Sequence, residues 1–250
     1  MAKMDLSLLR SKFRGSMLGA LIGDCLGSPY ENEELLTTGT KMILQRSLDK
    51  LEGPMYKAPV MQFTDDSAMT YSLAQSLVKA KDLDMIDLAK RFVKSYYMEP
   101  NRGYGPAVVT VFEKLRGNSL GISEPQPYKI QLSTIKSLIS EDGEGPHAEK
   151  IVQKLGNSVT ALYSVPTAIF CFLRAQKPIT GIETDNPFRR AIQYAISLGG
   201  DTDTIGSMTG AIAGAFYGEE KINLNLLQHC EASEEFATLA NQLFDAVAVQ

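Results

Sequence analysis

The chain of 250 residues has no tryptophan, 2 histidines and 3 cysteines. Zinc centres draw on closely spaced Cys and His, whereas His147 and His229 are isolated from each other and from any nucleophile or ligand partner, and read as structural or surface residues. Cys25, Cys171 and Cys230 are odd in number and far apart, which points to buried thiols in a reducing compartment rather than a disulfide frame. There is no run of Lys or Arg, and the net charge is -4. Direct nucleic-acid binding therefore has no electrostatic footing. No apolar stretch is long enough for a membrane span. The start, Met1-Ala-Lys-Met-Asp-Leu6, is too short and too acidic for a secretory leader and is no convincing mitochondrial presequence. Period-2 alternation is nowhere sustained, so the fold is expected to be all-α. Without Trp, aromatic recognition falls to Tyr and Phe.

What remains is ordinary globular material. Apolar content is 44% and charged content 22%, enough for one sizeable core and a single domain over residues 1–250. The rest of the chain is organised around Ser197-Leu-Gly-Gly-Asp-Thr-Asp-Thr-Ile-Gly-Ser-Met-Thr-Gly210. Asp201 and Asp203 sit beside Thr202 and Thr204, after a flexible glycine pair and before an apolar helix expected from Ile205 to about Tyr217. One Asp here would simply cap that helix. Two acids this close repel, favour protonation and call for a hard cation.

A second cluster has the same layout. Phe63-Thr64-Asp65-Asp66-Ser67 precedes a helical run through Met69, Leu73 and Leu77, and Glu31 lies just beyond an N-terminal helix. Adjacent acids before a helix are often only caps. Together, however, these carboxylates and hydroxyls form an oxygen-only donor set suited to Mg2+, Mn2+ or Ca2+.

Two helices carry four-residue glycine stripes: Gly15, Gly19, Gly23, Gly27 and Gly206, Gly210, Gly214, Gly218. Each interior glycine costs a helix about 1 kcal/mol relative to alanine, so the stripes need a packing reason. Residues four apart share a face, and a bare face lets another backbone approach. Both helices are expected to lie centrally, which would place Asp24 and Glu31 near Asp201. Elsewhere, helices are expected at Thr40–Leu51, after an Asp84 cap, and at Ala107–Leu115, Tyr128–Ser140 and Ala148–Leu155. Others are expected at Val159–Gln176, kinked or started at Pro166, at Phe188–Ser197, and as two short helices after Leu224.

Gly23-Asp-Cys-Leu-Gly-Ser-Pro-Tyr-Glu31, Thr64-Asp-Asp66 and Gly199-Gly-Asp-Thr-Asp-Thr204 resemble the metal-site motifs of the ADP-ribosylglycohydrolase family. Arg102-Gly-Tyr-Gly105 and Ser164-Val-Pro-Thr167 resemble its serine-ADP-ribose and poly(ADP-ribose) cleaving branch. The resemblance implies an orthogonal helical bundle around a two-metal cleft holding two Mg2+ ions. It makes Glu31, Thr64, Asp65, Asp66, Asp201, Asp203 and Thr204 metal ligands, Glu31 and Asp201 catalytic residues, and Asp65, Leu120 and Val159 substrate contacts. The implied reaction is hydrolysis of the O-glycosidic bond between ADP-ribose and serine, with poly(ADP-ribose) or O-acetyl-ADP-ribose as further substrates. The implied setting is a monomer acting on ADP-ribosylated protein in the DNA damage response, in cytoplasm, nucleus or mitochondrial matrix.

One departure stands out. The family's long block carrying diphosphate and adenine contacts is missing near 116–120, where the chain passes from Arg116 to Leu120 through three residues. This implies impaired activity. A non-catalytic shortened variant or structural protein of the same fold is the alternative, and cleavage of arginine-linked ADP-ribose is a weaker one.

Overall fold

The computed structural model describes residues 5–54, 56–57, 59–116, 128–141 and 147–248. Its α-helices, in chain order, are α1 (Leu6–Gly27), α2 (Thr38–Leu51), α3 (Asp65–Ala80), α4 (Met85–Met98), α5 (Pro106–Arg116) and α6 (Tyr128–Ile139). They continue with α7 (Ala148–Leu155), α8 (Ala161–Arg174), α9 (Pro187–Ser197), α10 (Thr202–Tyr217), α11 (Leu224–Leu227) and α12 (Ser233–Ala248). Among the described residues there is no strand, only two isolated bridges, and no helix is long and apolar enough to cross a membrane. The fold is the all-α bundle expected.

At its centre α1 and α10 run backbone to backbone. A β-carbon on Gly15, Gly19, Gly23 or Gly27 would overlap the main chain of Gly214, Gly210, Gly206 and Thr202 respectively. Seven of the eight stripe glycines are therefore contact points between these two helices. Gly218 does a different job: it ends α10 with φ +83°, a conformation only glycine adopts easily. Where the stripes end, Thr202 Oγ1 donates to the Gly27 carbonyl at 2.9 Å and latches the start of α10 to the end of α1. Around the pair, one apolar cluster includes Leu18, Leu21, Ile192 and Phe236. A second, under α6 to α8, includes Ile135, Ile151, Phe170 and Leu198.

Most expected boundaries agree with the structure to within two residues. Two do not. Pro166 neither starts nor stops α8, which begins five residues earlier at Ala161. A proline removes one N–H and so orphans the carbonyl four residues back. Here that carbonyl, of Leu162, accepts instead from Gln131 Nε2 of α6 at 3.4 Å. The tail also differs from two short helices: α11 is a single turn, and α12 runs for 16 residues against α1 and α3. The three thiols are free and buried, as expected. Tyr96 packs at a rim with Tyr104 and Phe112. His229 is buried edge-on to Tyr56.

Candidate metal centre

The site gathers where the glycine stripes end. Asp24 follows Gly23 in the last turns of α1 and is fully buried. Its carboxylate accepts from Thr64 N at 3.0 Å, Thr64 Oγ1 at 2.9 Å and Ser67 N at 3.0 Å. It thereby pins the start of α3 onto α1. Thr64 is the helix cap, its hydroxyl accepting from Asp66 N at 3.3 Å. With Thr64 as the cap, neither Asp65 nor Asp66 is spent on capping, and the Asp66 carboxylate joins Asp24 and Asp203.

α10 also leaves its leading acid free of capping, by a different arrangement. Asp201 occupies the cap position, yet its side chain makes no capping hydrogen bond. Its Oδ2 is buried with no hydrogen-bond partner among the described residues. Burial pushes this carboxyl up to about 7, and the adjoining Asp203 carboxyl adds to the push. A buried, unpartnered carboxylate oxygen is costly unless something binds it. Thr204 Oγ1 donates to Asp66 Oδ2 at 2.9 Å and closes the ring between α10 and α3.

Two close groups of carboxylates result, Asp24–Asp66–Asp203 and Glu31–Asp201–Asp203. In each, oxygen atoms lie within 4.8 Å of one another, and Asp203 belongs to both. Burial is the main reason Asp24, Asp65 and Asp66 titrate high. It raises Asp24 and lifts Asp66 well above the usual carboxylate range, with the Asp24 and Asp203 charges adding to it. Asp65 is pushed up to about 6. Glu31 is exposed and only modestly confined, raised by partial burial and by Asp203. An all-oxygen set with one shared carboxylate and an orphaned buried oxygen fits divalent hard cations.

The loops are held as firmly as the helices. Gly199 and Gly200 adopt φ +70° and +74° and are clasped between the 31–34 segment and Asn157. Asn32 N donates to Gly200 O at 3.1 Å, Gly200 N to Glu33 O at 2.6 Å, and Asp201 N to Asn157 O at 2.8 Å. The Asn157 amide donates to the carbonyls of Glu34 and Leu198. One side chain thus joins the Glu31 segment to the Asp201 loop.

Six of the seven sequence-assigned ligands, Glu31, Thr64, Asp66, Asp201, Asp203 and Thr204, meet in these groups or in the hydrogen bonds that link them. Thr64 and Thr204 act as donors to Asp24 and Asp66. Asp65 stands beside the two groups, close enough to feel the charges of Asp203, Asp24 and Glu31, while its N–H donates to Arg102 O at 2.7 Å. Val159 is 76% exposed on the loop after α7. Leu120 and the expected shortening between Gly117 and Leu120 lie outside the described residues. Asp24 and Asn157 were missing from the sequence-assigned set. An acid inside a glycine-striped apolar helix was a signal for Asp24; nothing local marked Asn157.

The family model described as ADP-ribosylglycohydrolase matches residues 5–134 and 126–250. The chain is 30% identical to ADP-ribosylhydrolase ARH3 of Mus musculus over an alignment of 338 residues, covering 93% of the chain and 91% of that protein. It is 31% identical to the Xenopus tropicalis protein of the same name, covering 94% and 96%. A solved structure titled ADP-ribosylglycohydrolase-related protein complex shares the fold, with a TM-score of 0.57, 18% identity, and coverage of 96% of this chain and 99% of that one.

Proposed function

The chain belongs to the ADP-ribosylglycohydrolase family, and we propose that it hydrolyses the O-glycosidic bond between the distal ribose of ADP-ribose and an acceptor, with serine as the acceptor and two Mg2+ ions as cofactors. The observation that carries this reading is Asp203, shared by two carboxylate groups, next to Asp201 with its buried unpartnered oxygen.

Asp24, Asp66 and Asp203 would hold one ion, and Glu31, Asp201 and Asp203 the other. Bound Mg2+ supplies Lewis acidity toward oxygen and neutralises the converging carboxylates. The bond to be broken passes through an oxocarbenium-like centre, which needs an ordered water and a group to take its proton. Asp201 fits that role: its carboxylate lies in one of the two groups, and its Oδ2 has no hydrogen-bond partner among the described residues. Glu31 stands exposed at the mouth, free to leave the group as substrate enters.

The alignment of 338 residues onto a chain of 250 leaves a long part of the mouse protein facing a gap. This supports a shortened nucleotide half, and with it slow turnover. Binding energy from remote parts of a substrate positions the reacting centre, so its loss lowers rate as well as affinity. The same gap favours the second reading, a non-catalytic variant of the fold. We place the protein, as a monomer, in cytoplasm, nucleus or mitochondrial matrix, acting on ADP-ribosylated proteins. Hydrolysis assays on seryl- and arginyl-ADP-ribose peptides, side by side, test the linkage. Release from the seryl peptide alone supports the proposal. Faster release from the arginyl peptide overturns the serine assignment, and release from neither favours the non-catalytic reading.

A further inference from the structure

The segment Met61 to Asp65 leads directly into Asp66, a member of one carboxylate group, yet it belongs to no helix until Asp65. Backbone polar groups away from bulk water need partners, and this segment finds them far away in sequence. Met61 N donates to His229 O at 2.7 Å, and Glu231 N returns a bond to Met61 O at 2.9 Å. Phe63 N donates to Glu231 Oε2 at 3.2 Å, and Arg102 Nη1 donates to Phe63 O at 3.1 Å. Asp65 N donates to Arg102 O at 2.7 Å. From Met61 to Asp65 the chain is thus gripped by Arg102 and Glu231, with the His229 carbonyl at its start and Asp24 beneath.

These two residues also grip each other. Arg102 Nη1 and Nη2 meet the two oxygens of Glu231 at 2.6 and 3.1 Å, a fork-to-fork pair. The guanidinium lies 3.9 Å from the centroid of the Phe63 ring. The Arg102 side chain is 14% exposed, and the pair holds the Glu231 carboxyl below its usual range. Immediately after Glu231, Ala232 adopts φ +58°, a left-handed conformation that a residue other than glycine takes only when its surroundings impose it. Glu99 also pairs with Arg102, through Nε at 3.0 Å, but it is largely exposed and makes no bond to the 61–65 segment.

We infer that Arg102 and Glu231 are positioning residues for the Thr64-Asp65-Asp66 half of the cation centre, so that the C-terminal segment before α12 sets the geometry of ligands more than 150 residues earlier in the chain. The inference rests on the proposed reading of the centre as a divalent-cation site. The planar guanidinium matters because it satisfies a carboxylate, a carbonyl and an aromatic face at once, which a lysine cannot do.

Titration calorimetry with Mn2+ alone, on the full chain, tests it using Glu231→Gln, Arg102→Lys and Glu99→Gln. Far-ultraviolet circular dichroism and the melting temperature in chelator report the fold, and electron paramagnetic resonance of bound Mn2+ reports ligand geometry. Wild type is expected to bind Mn2+. Glu231→Gln and Arg102→Lys are expected to bind about 10–100-fold more weakly, the range for partners that orient metal ligands, with unchanged helicity and an altered resonance spectrum. Glu99→Gln is expected to behave as wild type. Wild-type affinity and spectrum in either Arg102→Lys or Glu231→Gln would overturn the inference, as would equal weakening in Glu99→Gln. Absence of Mn2+ binding by wild type would instead remove the cation-site reading on which it rests.

Discussion

Gly23 of α1 and Gly206 of α10 meet main chain to main chain, and a β-carbon on either would overlap the other's backbone or crowd against it. This contact sets Asp24, the residue after Gly23, within reach of Asp203, three residues before Gly206. Helix packing and site geometry are therefore the same feature. No acid needs a long flexible reach into the centre.

Gly210 tests the packing without touching the site. A β-carbon there would meet the carbonyl of Gly19, an obstacle that no side-chain rotation relieves. Overpacking ordinarily costs about 1–3 kcal/mol, and Gly210→Leu should lie at or beyond the upper end in urea denaturation. Helix propensity alone says the reverse, favouring Leu by several tenths of a kcal/mol. A raised urea midpoint would remove the close-packing explanation.

The pH dependence of the metal-free protein follows from the raised carboxyls. Asp65 and Asp201 are pushed from the usual 3.8 to about 6 and about 7. An acid raised in the folded state contributes stability that is complete below its unfolded value and is lost as pH rises through its folded value. Stability in chelator should therefore fall between about pH 4 and 7. Glu231 and Glu220 are lowered and act in the opposite direction, but their contributions change only below the usual 4.5. Differential scanning calorimetry across this window should show the decline, and a flat or rising profile would contradict it.

Mg2+ should reverse that decline. At a concentration 100-fold above its dissociation constant, a ligand specific for the folded state adds about 2.7 kcal/mol. For a domain of this size that corresponds to a melting shift of about 5–10 °C. The shift should be larger at pH 8 than at pH 5.5, because binding displaces protons. No shift at any pH, together with altered stability of Asp201→Asn, would make the acids structural rather than ligating.

Asn157→Ala should loosen the mouth of the site. It removes two donated bonds, to the carbonyls of Glu34 and Leu198, at a cost of about 1–3 kcal/mol. Hydrogen exchange should rise in the 31–34 and 198–201 segments and stay unchanged in α12. Uniform exchange throughout would mean that the amide is no specific clasp.

The parts legible in the sequence are those set by neighbours in the chain. Glycine spacing announced α1 and α10, and oxygen-rich runs before apolar helices announced Asp66, Asp201 and Asp203. Hydrogen bonds that cross the fold were not legible. Thr64 lies 40 residues from Asp24, and Arg102 lies 129 from Glu231. Nothing near Glu231 distinguishes it from a solvated acid. A helix start at Pro166, one of the two readings offered for it, fails for the same reason: the helix runs through because Gln131, 31 residues away from Leu162, satisfies the freed carbonyl.

The proposed shortening of the nucleotide half should show in binding. Calorimetric titration with ADP-ribose in Mg2+, beside the mouse ARH3 relative, is expected to give weaker affinity for this chain. Equal affinities would mean that other segments rebuild the missing contacts.

The decisive quantity is ADP-ribose released from a seryl-ADP-ribosylated peptide by wild type and by Asp203→Asn, each in Mg2+ and in chelator. Asp203 is the carboxylate common to both groups, so wild type in Mg2+ should release ADP-ribose slowly but measurably, while chelator or Asp203→Asn should abolish release. Equal release in chelator, or from Asp203→Asn, would contradict a hydrolase built on two cations sharing that carboxylate.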